Sequence, residues 1–186
     1  MNTKRLCVFA FVTLLCSVGA MSTERSSGTN AAQRQKIAED SRRVLSRLYE
    51  SAPGSRELVA SARGLLIFPT VLSAGETTGG QYGEGELLVD GQALALYSAT
   101  GFDLAPQHGA KSRAFLVLFF TQDALAGFRA SEAWTVGTEA ATALKRNASG
   151  SIDPQTASTA VVGFVVTSTG VAVDPSIEGI KVRRLP

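Results

Sequence analysis

The chain has 186 residues, 45% of them hydrophobic, with 18 Lys plus Arg against 16 Asp plus Glu, two cysteines and one histidine. That length supports one domain with a real core. The near-balanced charge gives no argument for nucleic acid or an acidic substrate, and the single histidine, His108, excludes a His-clustered metal site.

Residues 1–20 read as a secretory signal peptide. Lys4 and Arg5 precede an apolar run over 6–15, and the small residues Val18-Gly19-Ala20 follow before a cut site. Cleavage is expected after Ala20. It would discard Cys7 and Cys16 together with two positive charges, leaving a formally neutral mature chain without a thiol. A second reading makes Cys16 the acylated cysteine of a lipoprotein; against it, Leu15 stands where such signals usually carry a small residue. Both readings make the protein exported and place it in the periplasm. Residues 21–30 are polar, without an apolar pattern, and read as a flexible leader before a domain over 31–186.

A helix is expected from Ala31. Ile37, Val44, Leu45 and Leu48 fall on one helical stripe, with Ser41 filling the missing turn, and Lys36, Arg43 and Arg47 line the stripe beside it. Two readings of that basic flank stand open: a solvated edge of a core-docked helix, or a face offered to anionic lipid. Pro53-Gly54 ends the helix, and a short second helix over 55–63 stops at Gly64. Charge then changes sign. Residues 25–63 carry eight bases and four acids, whereas 64–110 carry five acids and no base.

Residues 65–68 read as a short buried strand ended by Pro69. The glycine-dense stretch 75–91 is poor helix material, and 81–89 reads as a strand joined through the turn Asp90-Gly91 to a partner over 92–98. Phe68 and Tyr82 are the expected core anchors there. A strand over 114–121, a helix over 122–130 with Leu125 and Phe128 inward, and a central strand over 160–167 follow. The stretch 133–143 fits a strand or a weak helix, with Trp134 inward. Thr169-Gly170 turns the chain back, and the end is basic: Lys181, Arg183 and Arg184. Helices first and strands after, several joined by tight turns, give an α+β fold with N-terminal helices packed on a largely antiparallel sheet that curls toward a barrel.

No catalytic constellation emerges. There is no Gly-x-Ser-x-Gly elbow, and the glycine segment lacks the Gly-Lys-Ser/Thr ending of a phosphate loop, while Glu76, Glu84 and Glu86 would repel phosphate. Glu84 and Glu86 share a strand face and read as a solvated pair; an acid–base role for them is the remote alternative. Asn147-Ala148-Ser149 matches a glycosylation sequon and indicates no more than an exposed loop. Non-enzymatic function, with no cofactor and no metal, is the expectation.

The combination of Gly64-Leu65-Leu66-Ile67-Phe68-Pro69, Ala74-Gly75, Gly79-Gly80-Gln81-Tyr82-Gly83-Glu84-Gly85, Tyr97, the segment from Gln107 to Ser112, Leu118-Phe119-Phe120, the Ala124 to Phe128 helix, Trp134-Thr135-Val136-Gly137 and Gly170-Val171 resembles the SYLF domain, also called the Ysc84 actin-binding domain. The resemblance spans residues 31–182. It departs at Ala105-Pro106, where many members have a glycine. It implies a non-catalytic module that binds anionic phospholipid or phosphoinositide head groups through a basic amphipathic N-terminal region; actin is not carried over to an exported chain. The lipid-binding residues expected are Lys36, Arg42, Arg43 and Arg47, with Lys181, Arg183 and Arg184. The alternative is an envelope scaffold that binds a protein through its strand face, its basic helix merely solvated.

Overall fold

The structure is a computed structural model and describes residues 22–74, 79–103, 111–167, 170–172 and 177–186. The expected signal peptide, both cysteines, His108 and the Ala105-Pro106 departure lie outside the described residues. The chain divides into two compact units, Met1–Gln33 and Arg34–Pro186. In the first, residues 22–33 are helical. The second holds everything that follows.

Helix α1 spans Ser22–Ser51 and α2 spans Ser55–Ser61. Residues 22–30, expected as a leader, are thus helical: no proline interrupts them, and adding residues to a formed helix avoids the cost of nucleation. Between α1 and α2, Gly54 adopts φ 86°, a conformation that glycine takes without a Cβ penalty. Strands β1 (Gly64–Ala74), β2 (Gly79–Val89), β3 (Gln92–Asp103) and β4 (Lys111–Phe119) follow, then α3 (Gln122–Ala130). The stretch with two open readings resolves into both: strand β5 (Ala133–Thr135) and helix α4 (Thr138–Thr142). A 3-10 turn at Pro154–Ser158 leads to β6 (Val161–Thr167), β7 (Gly170–Ala172) and β8 (Lys181–Arg184).

The eight strands form one sheet in the order β5-β8-β3-β2-β1-β4-β6-β7, and every ladder is antiparallel. The expected α+β architecture with an antiparallel sheet is therefore present. Strand β6 lies next to the last strand rather than at the centre, yet five consecutive residues, 162–166, are buried. Both its faces are covered, which explains its unbroken apolar run.

Pro69 does not end β1. The register shifts between Ile67 and Thr70 on the β2 side and between Phe68 and Val71 on the β4 side, so proline occupies an irregularity where its missing N–H costs no ladder bond. The Asp90-Gly91 turn joins β2 to β3 as expected, with both residues at positive φ (51° and 76°), which suits the twist of an antiparallel hairpin.

Two apolar layers flank the sheet. On one side Val44 and Leu48 of α1, Ala52 just after it and Leu58 of α2 meet Leu65, Ile67, Leu116, Leu118 and Phe164. On the other, Leu125 and Phe128 of α3 and Ala140 and Ala141 of α4 meet Leu66, Phe68, Leu87, Tyr97, Phe115 and Phe119. Phe128 is the hub of an aromatic group, its ring centroid 5.0 Å from Tyr97, 4.8 Å from Phe119 and 5.4 Å from Trp134. Trp134 of β5 also meets Phe119 of β4 at 5.8 Å, although four strands separate theirs in the sheet order.

Candidate functional site

The apolar stripe expected on α1 is the one that docks. Ile37, Ser41, Val44 and Leu48 are buried and Leu45 is half-buried, which turns Lys36, Arg42, Arg43 and Arg47 outward. The four bases are not equivalent. Lys36 Nζ donates to Asp40 Oδ2 at 2.6 Å, one turn along, and Arg43 donates to the other oxygen, Oδ1. The Lys36 hydrogen bond, followed by the charges of Lys36 and Arg43, holds the Asp40 carboxyl below its ordinary range despite partial desolvation. Arg42 and Arg47 are exposed and stand outside this network.

The three C-terminal bases divide between two sides of the sheet. Val182 is buried in the layer that holds α3, so strand alternation sends its neighbours Lys181 and Arg183 to the opposite side, the one α1 and α2 cover. Arg184 returns to the side of Val182 and pairs in register with Tyr97. Burial raises the Tyr97 pKa, while the nearby charges of Arg184 and then Arg129 partly offset the shift. The structure thus does not gather all seven expected bases into one patch: Arg184 is separated from the others.

Two expectations on β2 are corrected. Tyr82 is not a core anchor; it is 49% exposed and pairs in register with Leu72, itself 52% exposed. Its hydroxyl donates to Glu84 Oε1 at 2.6 Å, and that bond to an anionic acceptor pushes the Tyr82 pKa up to about 12. Glu86, read as half of a solvated pair, is only 2% exposed. Both acids project from the same side of β2, but the helical layer covers the end of the strand that carries Glu86 and leaves Glu84 half-buried.

Above Glu86 the structure leaves a cavity of about 490 Å³ between α1, α2 and the β2–β3 hairpin. Leu45, Tyr49, Val59, Leu65 and Leu88 supply its apolar wall, Ser41 and Glu86 its buried polar groups, and Arg42, Arg63 and Asp90 its exposed ones. Burial raises the pKa of Tyr49, and the Arg56 guanidinium sits 4.4 Å from its ring centroid. Sequence reading missed this site because alternation alone says which side of a strand a residue takes, not what covers it. Ser41 was the one available signal, a polar residue completing an apolar stripe.

Among the described residues no cluster of three or more His, Cys, Asp or Glu is placed to hold a metal ion, and no helix is long and apolar enough to cross a membrane. No protein-family model matches the chain, and no curated protein matches it.

Proposed function

We propose that this is an exported, non-catalytic protein that associates peripherally with anionic phospholipid through the basic outer face of α1. The observation that carries the reading is the orientation of that helix: its apolar residues are spent on the sheet, and Lys36, Arg42, Arg43 and Arg47 all face outward. The resemblance to the SYLF domain supports the same assignment, phosphoinositide-type head groups included. So does the placement of Lys181 and Arg183 on the side of the sheet that α1 covers. Each base near an anionic surface contributes about 1 kcal/mol, so four give reversible association that weakens as salt rises. Export through the signal-like residues 1–20 places the protein in the periplasm, with acylation at Cys16 as the alternative anchor. The sheet's curl toward a barrel, supported by the Phe119–Trp134 contact, gives the helix a stiff base.

Co-sedimentation with anionic and neutral vesicles at low and high salt tests the reading. Recovery is expected with anionic vesicles at low salt only; equal recovery in all four conditions removes it. A protein-binding scaffold is the second reading, favoured by the exposed cross-strand pair Leu72 and Tyr82 and by the engagement of Lys36 and Arg43 with Asp40. Charge reversal at Arg43 and Arg47 separates the two: unchanged membrane partition together with unchanged capture of a partner favours the scaffold, whose strand face the change does not touch.

A further inference from the structure

The cavity above Glu86 combines features that the membrane reading leaves unused. Glu86 is 2% exposed, and among the described residues no side chain forms an ion pair or hydrogen bond with it. Ser41 is 1% exposed, and among the described residues its hydroxyl has no hydrogen-bond partner. The Glu86 carboxylate, without a cation or donors from the protein, opens onto the cavity and leaves its charge to be met there, and a buried hydroxyl without a partner is costly. Both residues line the same space, whose volume lies within the roughly 300–1,000 Å³ typical of small-molecule sites.

The wall chemistry narrows the ligand. A fatty acid would bring a second carboxylate to Glu86. A neutral alcohol would satisfy Ser41 and leave the charge of Glu86 uncompensated. An ammonium group answers both, because it carries the opposite charge and three N–H donors. At the exposed edge Arg42 and Arg63 outnumber Asp90, so the outer end of the ligand meets net positive charge, and the guanidinium fork suits a phosphate.

We propose that this cavity binds an aminoalkyl phosphate, its primary ammonium donating to Glu86 and Ser41 and its phosphate meeting Arg42 and Arg63. The ligand is either the free small molecule or the same group at the head of a phospholipid. Binding of the free form does not depend on the membrane reading.

Calorimetric titration of the purified protein with phosphoethanolamine tests this, with phosphocholine, which has no N–H donor, and inorganic phosphate as controls. Phosphoethanolamine binds, and both controls bind at least about tenfold more weakly, as the loss of charge-assisted hydrogen bonds requires. Glu86→Gln, similar in shape, weakens phosphoethanolamine by about tenfold or more and Ser41→Ala by a smaller factor, each with an unchanged circular dichroism spectrum. Should Glu86→Gln fail to fold, the discrimination between phosphoethanolamine and phosphocholine by the natural protein carries the test alone. A second arm uses neutral vesicles with phosphoethanolamine or phosphocholine head groups. Preference for the former, lost in Glu86→Gln, assigns the lipid source; binding of the soluble compound without that preference assigns the free molecule. The proposal is overturned if neither form is preferred over its choline counterpart, or if Glu86→Gln binds as the natural protein does. Arg43→Glu with Arg47→Glu tests the membrane face and leaves calorimetric binding of the soluble ligand unchanged, so the two readings fail separately.

Discussion

Gly85 and Phe68 sit so close across the β1–β2 ladder that a Cβ on Gly85 would stand 2.7 Å from Phe68 Cδ1 and closer still to the Ile67 carbonyl oxygen. The backbone carbonyl cannot swing aside as a side chain could. Gly85→Ala is therefore expected to destabilise the fold by about 3 kcal/mol or to prevent folding, through overpacking at the register shift of β1. Gly127→Ala is the control. Gly127 lies in α3 with nothing within 4 Å of an added Cβ, and there alanine is expected to stabilise by about 0.5–1 kcal/mol. Denaturant unfolding of both variants checks the opposite signs.

Tyr82 should be the last tyrosine to ionise. Its hydrogen bond to Glu84 favours the neutral phenol, and its pKa rises to about 12 from an ordinary 10.0. Because the folded protein holds this proton more tightly than the unfolded chain, the contribution to stability is complete below pH 10 and is lost as pH rises toward 12. Tyrosinate absorbance followed against pH reads the titration directly. In Glu84→Gln the Tyr82 step is expected to move down toward the ordinary value; an unmoved step would show that Glu84 does not set it.

Asp40 restrains the basic face of α1 by engaging Lys36 and Arg43. Asp40→Asn removes one negative charge and releases two cations, so affinity for anionic vesicles at low salt is expected to rise about fivefold, the equivalent of about 1 kcal/mol. The same residue gives an acid dependence. Its folded pKa lies below 3.8, so its stabilising contribution is present above that value and fades as pH falls through the folded pKa. Acid unfolding of the Asn variant should lack this component.

Phe128 closes the layer opposite α1 by meeting Tyr97, Phe119 and Trp134 at once. Phe128→Ala is expected to cost about 3–5 kcal/mol, since the rings around it are held by three strands and cannot collapse into the space. Fluorescence of the single tryptophan should shift to the red as Trp134 loses its edge contacts.

Local chemistry made much of the fold legible. Helix α3 has the bounds read from sequence, because Thr121 accepts from the Ala124 N–H at its start while Leu125 and Phe128 mark its inner face. The Asp90-Gly91 hairpin was equally clear, since its turn demands positive φ at adjacent positions. What stayed illegible depends on partners distant in the chain. Pro69 reads as a stop until the register shifts on both its neighbours give it a place within β1. Tyr82 and Glu86 exchanged their expected environments because the helices cover only one end of β2. The basic stripe of α1 was visible in outline, but its division by Asp40 was not.

The described sheet begins and ends with its shortest members: β5 and β7 have three residues each, while the four consecutive strands β3, β2, β1 and β4 have nine to twelve. A stray strand docking along either border would find few free backbone groups to zip onto. Copies of this protein crowded together are thereby steered away from growing into continuous ribbons, and the long strands β1, β2 and β4 are paired on both sides.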